Sequence, residues 1–248
     1  MRIAMFSMRN MKEILRDPIN FFFGLGLPLI LLALLSYINA NIPPEANNPM
    51  FGIANLAPGL AMFGSVFMAL FAGMLLAKDR TSSFLMRLFT SPMNAVDFLL
   101  GYTAPMLIMT AMQTTITIIA ACLFGLPVTV NIFLAIPLTG LTSFLFIGIG
   151  LLCGSLMSDK AVGGICGALL TNVAGWLSGV FIPIDLIGGG FRIVTHILPF
   201  YHSVEAIKQA LAGDYSAILP HVSIVLAYTI VIYLVAIFAF RRSMSGDK

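Results

Sequence analysis

The sequence predicts an all-α integral membrane protein with six transmembrane helices and both termini in the cytoplasm. Three observations predict it. Of 248 residues, 59% are hydrophobic and 9% charged, with a mean hydropathy of +1.01. A soluble domain carries about 25% charged residues, so the deficit is that of a surface facing lipid. The charged residues stand in clusters separated by long charge-free runs, and the basic ones collect in alternate clusters. This composition excludes a soluble globular enzyme, a disordered chain and a nucleic-acid binder.

In chain order, residues 1–18 interleave Met5, Met8, Ile14 and Leu15 with basic side chains at roughly helical spacing. That pattern suits a helix lying in the membrane interface better than a solvated leader. The segment has no uninterrupted apolar core and is not a signal peptide. A span needs about 20 mostly apolar residues, because about 30 Å of hydrocarbon is crossed at about 1.5 Å per residue. Residues 19–38 and 56–76 supply the first two. Residues 98–158 hold 61 positions without Asp, Glu, Lys or Arg. Extended as one helix they would reach about 90 Å, so they fold back. The turn falls at Phe124-Gly125-Leu126-Pro127 through Asn131, giving spans 98–124 and 132–157. Residues 161–184 form the fifth span and 219–240 the sixth. Between these two lies an outer segment, 185–213. Its charge-free part, 193–204, has 12 residues with Pro199 inside, too few to cross. It reads as a re-entrant or interfacial hairpin, bent at Gly188-Gly189-Gly190 and followed by a short amphipathic helix ending at Gly213.

The charges fix the orientation. Arg2, Arg9, Lys12 and Arg16 precede span 1. Lys78, Arg80 and Arg87 join spans 2 and 3. Lys160 joins spans 4 and 5, and Arg241, Arg242 and Lys248 follow span 6. Only Arg192 and Lys208 of the 13 basic residues fall on the other side, with Glu45, Asp185, Glu205 and Asp214. The positive-inside rule then places both termini inside. A reporter fused after Asn48 or within residues 191–213 is expected outside, and one within residues 80–94 inside. An inside reading for 191–213 overturns the six-span topology.

Several chemistries are missing. No GxxxxGK[ST] phosphate cradle occurs, so the chain does not bind and hydrolyse ATP in the P-loop manner by itself. There is no HExxH and no CxxC. Cys122, Cys153 and Cys166 lie in apolar runs and read as small buried hydrophobes. His196, His202 and Glu205 suggest a metal or acid–base cluster of a membrane-embedded hydrolase, but their spacing fits no zinc motif and no nucleophile with a partner stands nearby. The spans carry no charged side chain, which argues against a carrier driven by an ion relay. Gln113, Thr114, Thr115 and Asn172 remain as polar groups.

Three features bear on transport. Gly163, Gly167, Thr171, Gly175 and Gly179 recur every four residues along span 5, a ridge for close helix packing within the subunit or between subunits. Beside it run Asn172 and Trp176, the only Trp. Phe63, Phe67 and Phe71 form a stripe on span 2, serving either ordinary packing or an apolar, flat ligand. In the inner loop 79–97, Ser82 or Ser83 can cap a short helix that Pro92 limits. Phe84, Leu85, Leu88 and Phe89 follow its apolar face with Arg87 on the flank. Such a face lies on lipid or docks in a partner's groove.

Four stretches stand in a particular order. They are Leu-Arg-Asp-Pro at 15–18, Lys-Asp-Arg-Thr-Ser-Ser-Phe-Leu-Met-Arg-Leu-Phe-Thr-Ser-Pro at 78–92, Leu-Ser-Gly-Val-Phe-Ile-Pro at 177–183, and Ile-Leu-Pro-Phe-Tyr-His-Ser-Val-Glu-Ala-Ile-Lys at 197–208. In order and spacing they resemble the membrane subunit of a type-2 ABC exporter, the type V exporter fold, over nearly the whole chain. The second is similar to the family's R-x-x-G-T-L-x-R-L-x-x-T-P, with Ser83 in place of the usual Gly. The fourth is similar to L-P-x-x-Y-x-x-x-A-x-R, with Lys208 where Arg is common. The resemblance implies a multi-pass subunit of the cell membrane, paired with a second membrane subunit, a homodimer in preference to a heterodimer. Two cytoplasmic P-loop ATPase subunits would carry ATP and Mg, with no cofactor on this chain. Phe84, Leu85, Arg87 and Leu88 would lie on a coupling helix. Spans 2 and 5 would line the path at the dimer centre, which assigns Phe63, Phe67, Phe71, Asn172 and Trp176 to the substrate.

Within that family the chain looks most similar to the multidrug and antibiotic-resistance permeases. One Trp and six Tyr offer little sugar stacking along a path. The expected function is therefore export of a hydrophobic drug, antibiotic or lipid, with a lipid-linked glycan as the alternative cargo and the hydrolase as the alternative from another class.

Overall fold

The computed structural model describes residues 2–43, 51–82, 84–85, 93–182 and 184–246, and every regular element among them is helical. Helix α1 (Arg2–Leu15) is the leader. The first span is a composite of α2 (Pro18–Phe21), a wide π-helical turn (Phe22–Gly26) and α3 (Leu27–Asn41). It starts where it does because Asp17 accepts the Ile19 N–H at 3.0 Å, and proline is preorganised for a first helical position. Helix α4 (Ile53–Thr81) follows, then α5 (Ala95–Leu123). The Asn94 side chain accepts from Asp97 N–H, and Asp97 from Asn94 N–H, each at 3.0 Å, a reciprocal cap that starts α5. Gly125, at φ +101°, turns the chain into α6 (Ile132–Leu156). Span 5 is again composite: α7 (Asp159–Val162), a π-helical stretch (Gly163–Leu170) and α8 (Thr171–Leu177). Short α9 (Ile184–Ile187), α10 (Gly189–Ile197) and α11 (Pro199–Ala212) precede the last helix, α12 (Tyr215–Gly246). At the start of α12 the Ser216 hydroxyl and the Ala217 N–H hold the Asp214 carboxyl below the usual carboxylate range.

Six of these runs are long and apolar enough to cross a membrane, among the described residues. The protein is an all-α integral membrane protein. Two segments differ from expectation in detail. Span 5 stops at Leu177 rather than continuing to 184, because Ser178 turns back to bond the Gly175 carbonyl at 3.1 Å and Gly179 takes φ +77°. Residues 185–213, expected as a re-entrant or interfacial segment with one short amphipathic helix, hold three short helices: Leu198 is extended, as a residue before proline prefers, and separates α10 from α11. The closing glycine is as expected, Gly213 at φ +83°.

Helix α4 is the hub. Its most apolar window is 89% buried, against 17–44% for the other spans. It is apolar on all sides because other helices surround it, while their outer faces stay apolar for lipid. Apolar burial gains little between helices in hydrocarbon, so close packing has to hold them. The closest approach is a seam between α4 and α6. A Cβ on Gly150 would collide with the Ala69 carbonyl, one on Gly154 with the Gly73 carbonyl, and one on Gly73 would lie 2.5 Å from the Gly150 oxygen. Ala69, Gly73, Gly150 and Gly154 thus let two backbones touch over a full turn.

The leader docks on the end of the bundle where the chain also finishes. Phe6 meets Phe98 and Tyr102 edge-on at 5.6 and 5.0 Å, and Phe98 meets Phe240 at 5.8 Å. Gly101 makes room for the Phe6 ring.

Candidate functional site

A buried charge stands at the foot of the hub. Asp79 lies in the last turn of α4 and is 3% exposed. A carboxylate there opposes the helix dipole, so it needs a partner. Arg9 of the leader supplies one, as a two-pronged pair whose Nη2–Oδ1 contact is 2.9 Å. The Tyr102 hydroxyl of α5 donates to Asp79 Oδ2 at 2.8 Å. Buried Asn10 accepts from Arg9 at 2.9 Å and donates to the Gly101 carbonyl at 3.1 Å. Partial burial would lower the Arg9 pKa, but the hydrogen bond and charge of Asp79, with Glu13 beside them, outweigh it and hold the guanidinium more firmly protonated. Three elements that adjoin the inner loop are therefore pinned by one polar node. The neighbouring Arg80 donates to the Ser155 and Met157 carbonyls at 2.6 and 2.7 Å, closing the C-terminal end of α6.

The expected coupling segment begins at this node. Ser82 Oγ accepts the Phe84 N–H at 3.4 Å, and the Arg9 guanidinium sits 4.2 Å over the Phe84 ring. Leu85 requires a correction. It is 1% exposed, in one apolar cluster with Leu75, Leu76 and Phe98. It anchors the loop to its own bundle and offers no surface to a partner. Ser83, Arg87, Leu88, Phe89 and Pro92 lie outside the described residues.

The span 2 stripe is packed. Phe63, Phe67 and Phe71 are buried, with Phe23 of span 1 at 5.9 Å from Phe67 and Phe181 at 5.5 Å from Phe63. Asn172 and Trp176 stand apart from it, both exposed on span 5, with the Asn172 amide donating to the Ala168 carbonyl at 2.8 Å. Among the described residues, no glycine of the span 5 ridge lies against another helix's backbone. Gly163 has no neighbour within 4 Å of an added Cβ, Gly167 meets only Leu70, Gly175 meets Phe181 and Phe63, and Gly179 is outside the helix. Thr171 bonds back to the Cys166 carbonyl at 3.1 Å.

The three histidines converge, His221 being the one that sequence spacing missed. His202 Nε2 donates to the His196 carbonyl at 2.8 Å, and its Nδ1 lies 2.7 Å from His221 Nδ1. Glu205 is engaged by Gln209 and Lys208. With both His202 nitrogens occupied, the group is a structural clasp between α10, α11 and α12. Among the described residues no three His, Cys, Asp or Glu side chains are placed to hold a metal ion.

Comparison with known proteins decides what this architecture belongs to. The family model for the ABC-2 type transporter matches residues 2–212. The chain belongs to the ABC-2 type transporter family. The match runs from α1 through α11 and takes in the Asp79 node and the α4–α6 seam, while His221 of the histidine clasp lies beyond it. As an ABC-2 protein the chain is a transporter membrane subunit, multi-pass in the cell membrane. Nodulation protein J of Rhizobium meliloti (strain 1021) is 23% identical over 235 residues, covering 93% of this chain and 85% of that protein. Nodulation protein J of Rhizobium leguminosarum bv. viciae is 24% identical over 127 residues, covering 51% and 49%.

Proposed function

We propose that this ABC-2 chain is the permease subunit of an ATP-driven exporter that moves a hydrophobic drug, antibiotic or lipid out of the cell. Two copies of the chain work with two cytoplasmic P-loop ATPase subunits, which bind ATP and Mg. The observation that carries the reading is the hub: a transporter chain without a P-loop hangs its inner loop from the foot of the helix that packs against spans 1, 3, 4 and 5. Motion delivered to residues 79–97 passes through Asp79 to the leader and α5, and along α4 to spans 1, 4 and 5. Both termini are cytoplasmic in this reading. Span 5 faces the second subunit, with Asn172 and Trp176 towards the path and the buried Phe63, Phe67 and Phe71 stack of span 2 as the stiff layer behind it. The span 5 ridge is left open for the partner copy.

A lipid-linked glycan is the second reading, favoured by the exposure of an amide and an indole one turn apart at Asn172 and Trp176. That pair suits a sugar by hydrogen bonding and stacking. Reconstitution with a P-loop ATPase that co-purifies with the chain, and measurement of ATPase stimulation across drugs, lipids and lipid-linked glycans, separates the two. No stimulation by any of them, in a complex that transports nothing, overturns the exporter reading.

The loop is tested with Arg87→Glu and Leu88→Asp together, leaving Leu85 in place. A charge reversal and a carboxylate set against a partner's apolar groove should weaken docking by more than a hundredfold. Membrane insertion should be unchanged. Normal co-purification with the ATPase and normal transport would move the coupling element elsewhere.

A further inference from the structure

The leader carries a second surface that the coupling reading leaves unused. Its bundle side is Phe6, Asn10 and Ile14, all buried. Its other side is not the polar face of a solvated helix. Met5, Met8 and Leu15 are 60, 59 and 48% exposed there, alongside Lys12 and Arg16. An open groove of about 810 Å³ runs along this side, bounded by Lys12, Arg16 and Lys78. A second groove of about 680 Å³ shares Arg16 and Pro18 with it and continues into span 1 between Leu15, Phe22 and Leu25. The two form one channel, basic at one end and apolar at the other, and the wide π-helical turn at Phe22–Gly26 lies along the apolar end.

The charges in the groove do not cancel. Glu13 is taken by Arg9 at 2.6 Å and approached by Lys78 at 3.6 Å, and Asp17 caps α2. Lys12 and Arg16 form no ion pair among the described residues. The channel sits at the boundary between a charged leader and a charge-free span. From Pro18 to Asn41 the chain rises about 36 Å as helix, enough for about 30 Å of hydrocarbon, so Pro18 stands at headgroup depth. An occupant must present negative charge at the surface and hydrocarbon just below it. A soluble protein segment satisfies the first condition and cannot reach the second.

We propose that this channel binds an anionic phospholipid of the surrounding bilayer, with its phosphate between Lys12, Arg16 and Lys78 and an acyl chain along Leu15, Phe22 and Leu25. The bound lipid fixes the leader at the membrane surface, on the side opposite its contact with α5. The site stands independently of what the protein transports.

The test uses the purified full chain, titrated with phosphatidylglycerol and, separately, phosphatidylcholine of the same acyl chains, and read by native mass spectrometry. The wild type should retain phosphatidylglycerol in preference. Lys12→Gln with Arg16→Gln should reduce that preference roughly 30-fold, as two surface cations near a headgroup suggest. Both positions are exposed, so the fold should persist, checked by thermal unfolding. Lys208→Gln, at the far end of the bundle, should change nothing. Equal retention of both lipids by the wild type overturns the proposal. So does an unchanged preference in the double variant, including the case where that variant instead loses its ATPase, which would give the groove to the protein partner.

Discussion

Gly150→Leu is expected to leave almost no folded protein in the membrane. The glycine backbone lies directly on the Ala69 carbonyl, and Gly154 lies on that of Gly73 one turn later, so an added side chain meets backbone that cannot swing aside. Overpacking that flexible side chains can absorb costs about 1–3 kcal/mol. A backbone collision at the hub belongs at or beyond the top of that range, roughly a hundredfold in the ratio of folded to unfolded chains. The loss should appear as a collapse of the monodisperse peak in detergent. Gly140→Leu and Gly163→Leu are the controls, since an added Cβ at either has no neighbour within 4 Å. Both should give normal yields. A smaller particle for Gly163→Leu alone would assign the span 5 ridge to the contact between subunits. A normal yield for Gly150→Leu would mean that α4 and α6 are not packed through this seam.

The contrast between the two glycine patterns shows what was legible in the sequence. Charge-free runs fix the six helices because lipid penalises charge at every position of a span. The Gly125 and Gly213 turns are local signals and read correctly for that reason. The packing partner of a ridge is not local. Span 5 carries five small residues at a four-residue spacing, yet Gly163–Leu170 is π-helical, which puts more residues in each turn and shifts the spacing off one face. The working seam is built from two shorter patterns, Ala69-x-x-x-Gly73 and Gly150-x-x-x-Gly154, each ordinary alone. A small-residue pair on each of two helices is the better signal, because close approach needs two smooth surfaces. Asp79 was illegible for a similar reason. Between Lys78 and Arg80 it reads as a solvated loop residue, and only Arg9, 70 positions away, shows that it is buried. Leu85 has the reverse history: its apolar face was evident, but sequence does not say whether such a face turns to a partner or to its own core.

Arg9→Ala should destabilise the protein more than Asp79→Ala, although the two side chains form one pair. Removing Arg9 leaves a carboxylate that is 3% exposed with the Tyr102 hydroxyl as its remaining partner. Breaking a buried pair in that direction costs about 3–5 kcal/mol. Removing Asp79 leaves Arg9, whose side chain is 34% exposed and already within 2.6 Å of Glu13. That guanidinium turns to water and to Glu13, so the cost is mainly the orphaned Tyr102 hydroxyl, about 1–3 kcal/mol. The double variant removes the uncompensated carboxylate as well, and should be more stable than Arg9→Ala alone. Thermal midpoints in detergent should therefore run wild type, Asp79→Ala, the double variant close behind it, then Arg9→Ala. In the reconstituted complex the same node joins the loop to the leader, so Asp79→Ala should bind the ATPase while losing most of the substrate-stimulated part of its hydrolysis. Equal midpoints for the two single variants would show that Asp79 is solvated in the membrane. A double variant no better than Arg9→Ala would place the stabilisation in the Arg9–Phe84 stack instead. That stack holds the start of the loop just as directly, and Phe84→Leu would then be the variant that separates coupling from folding.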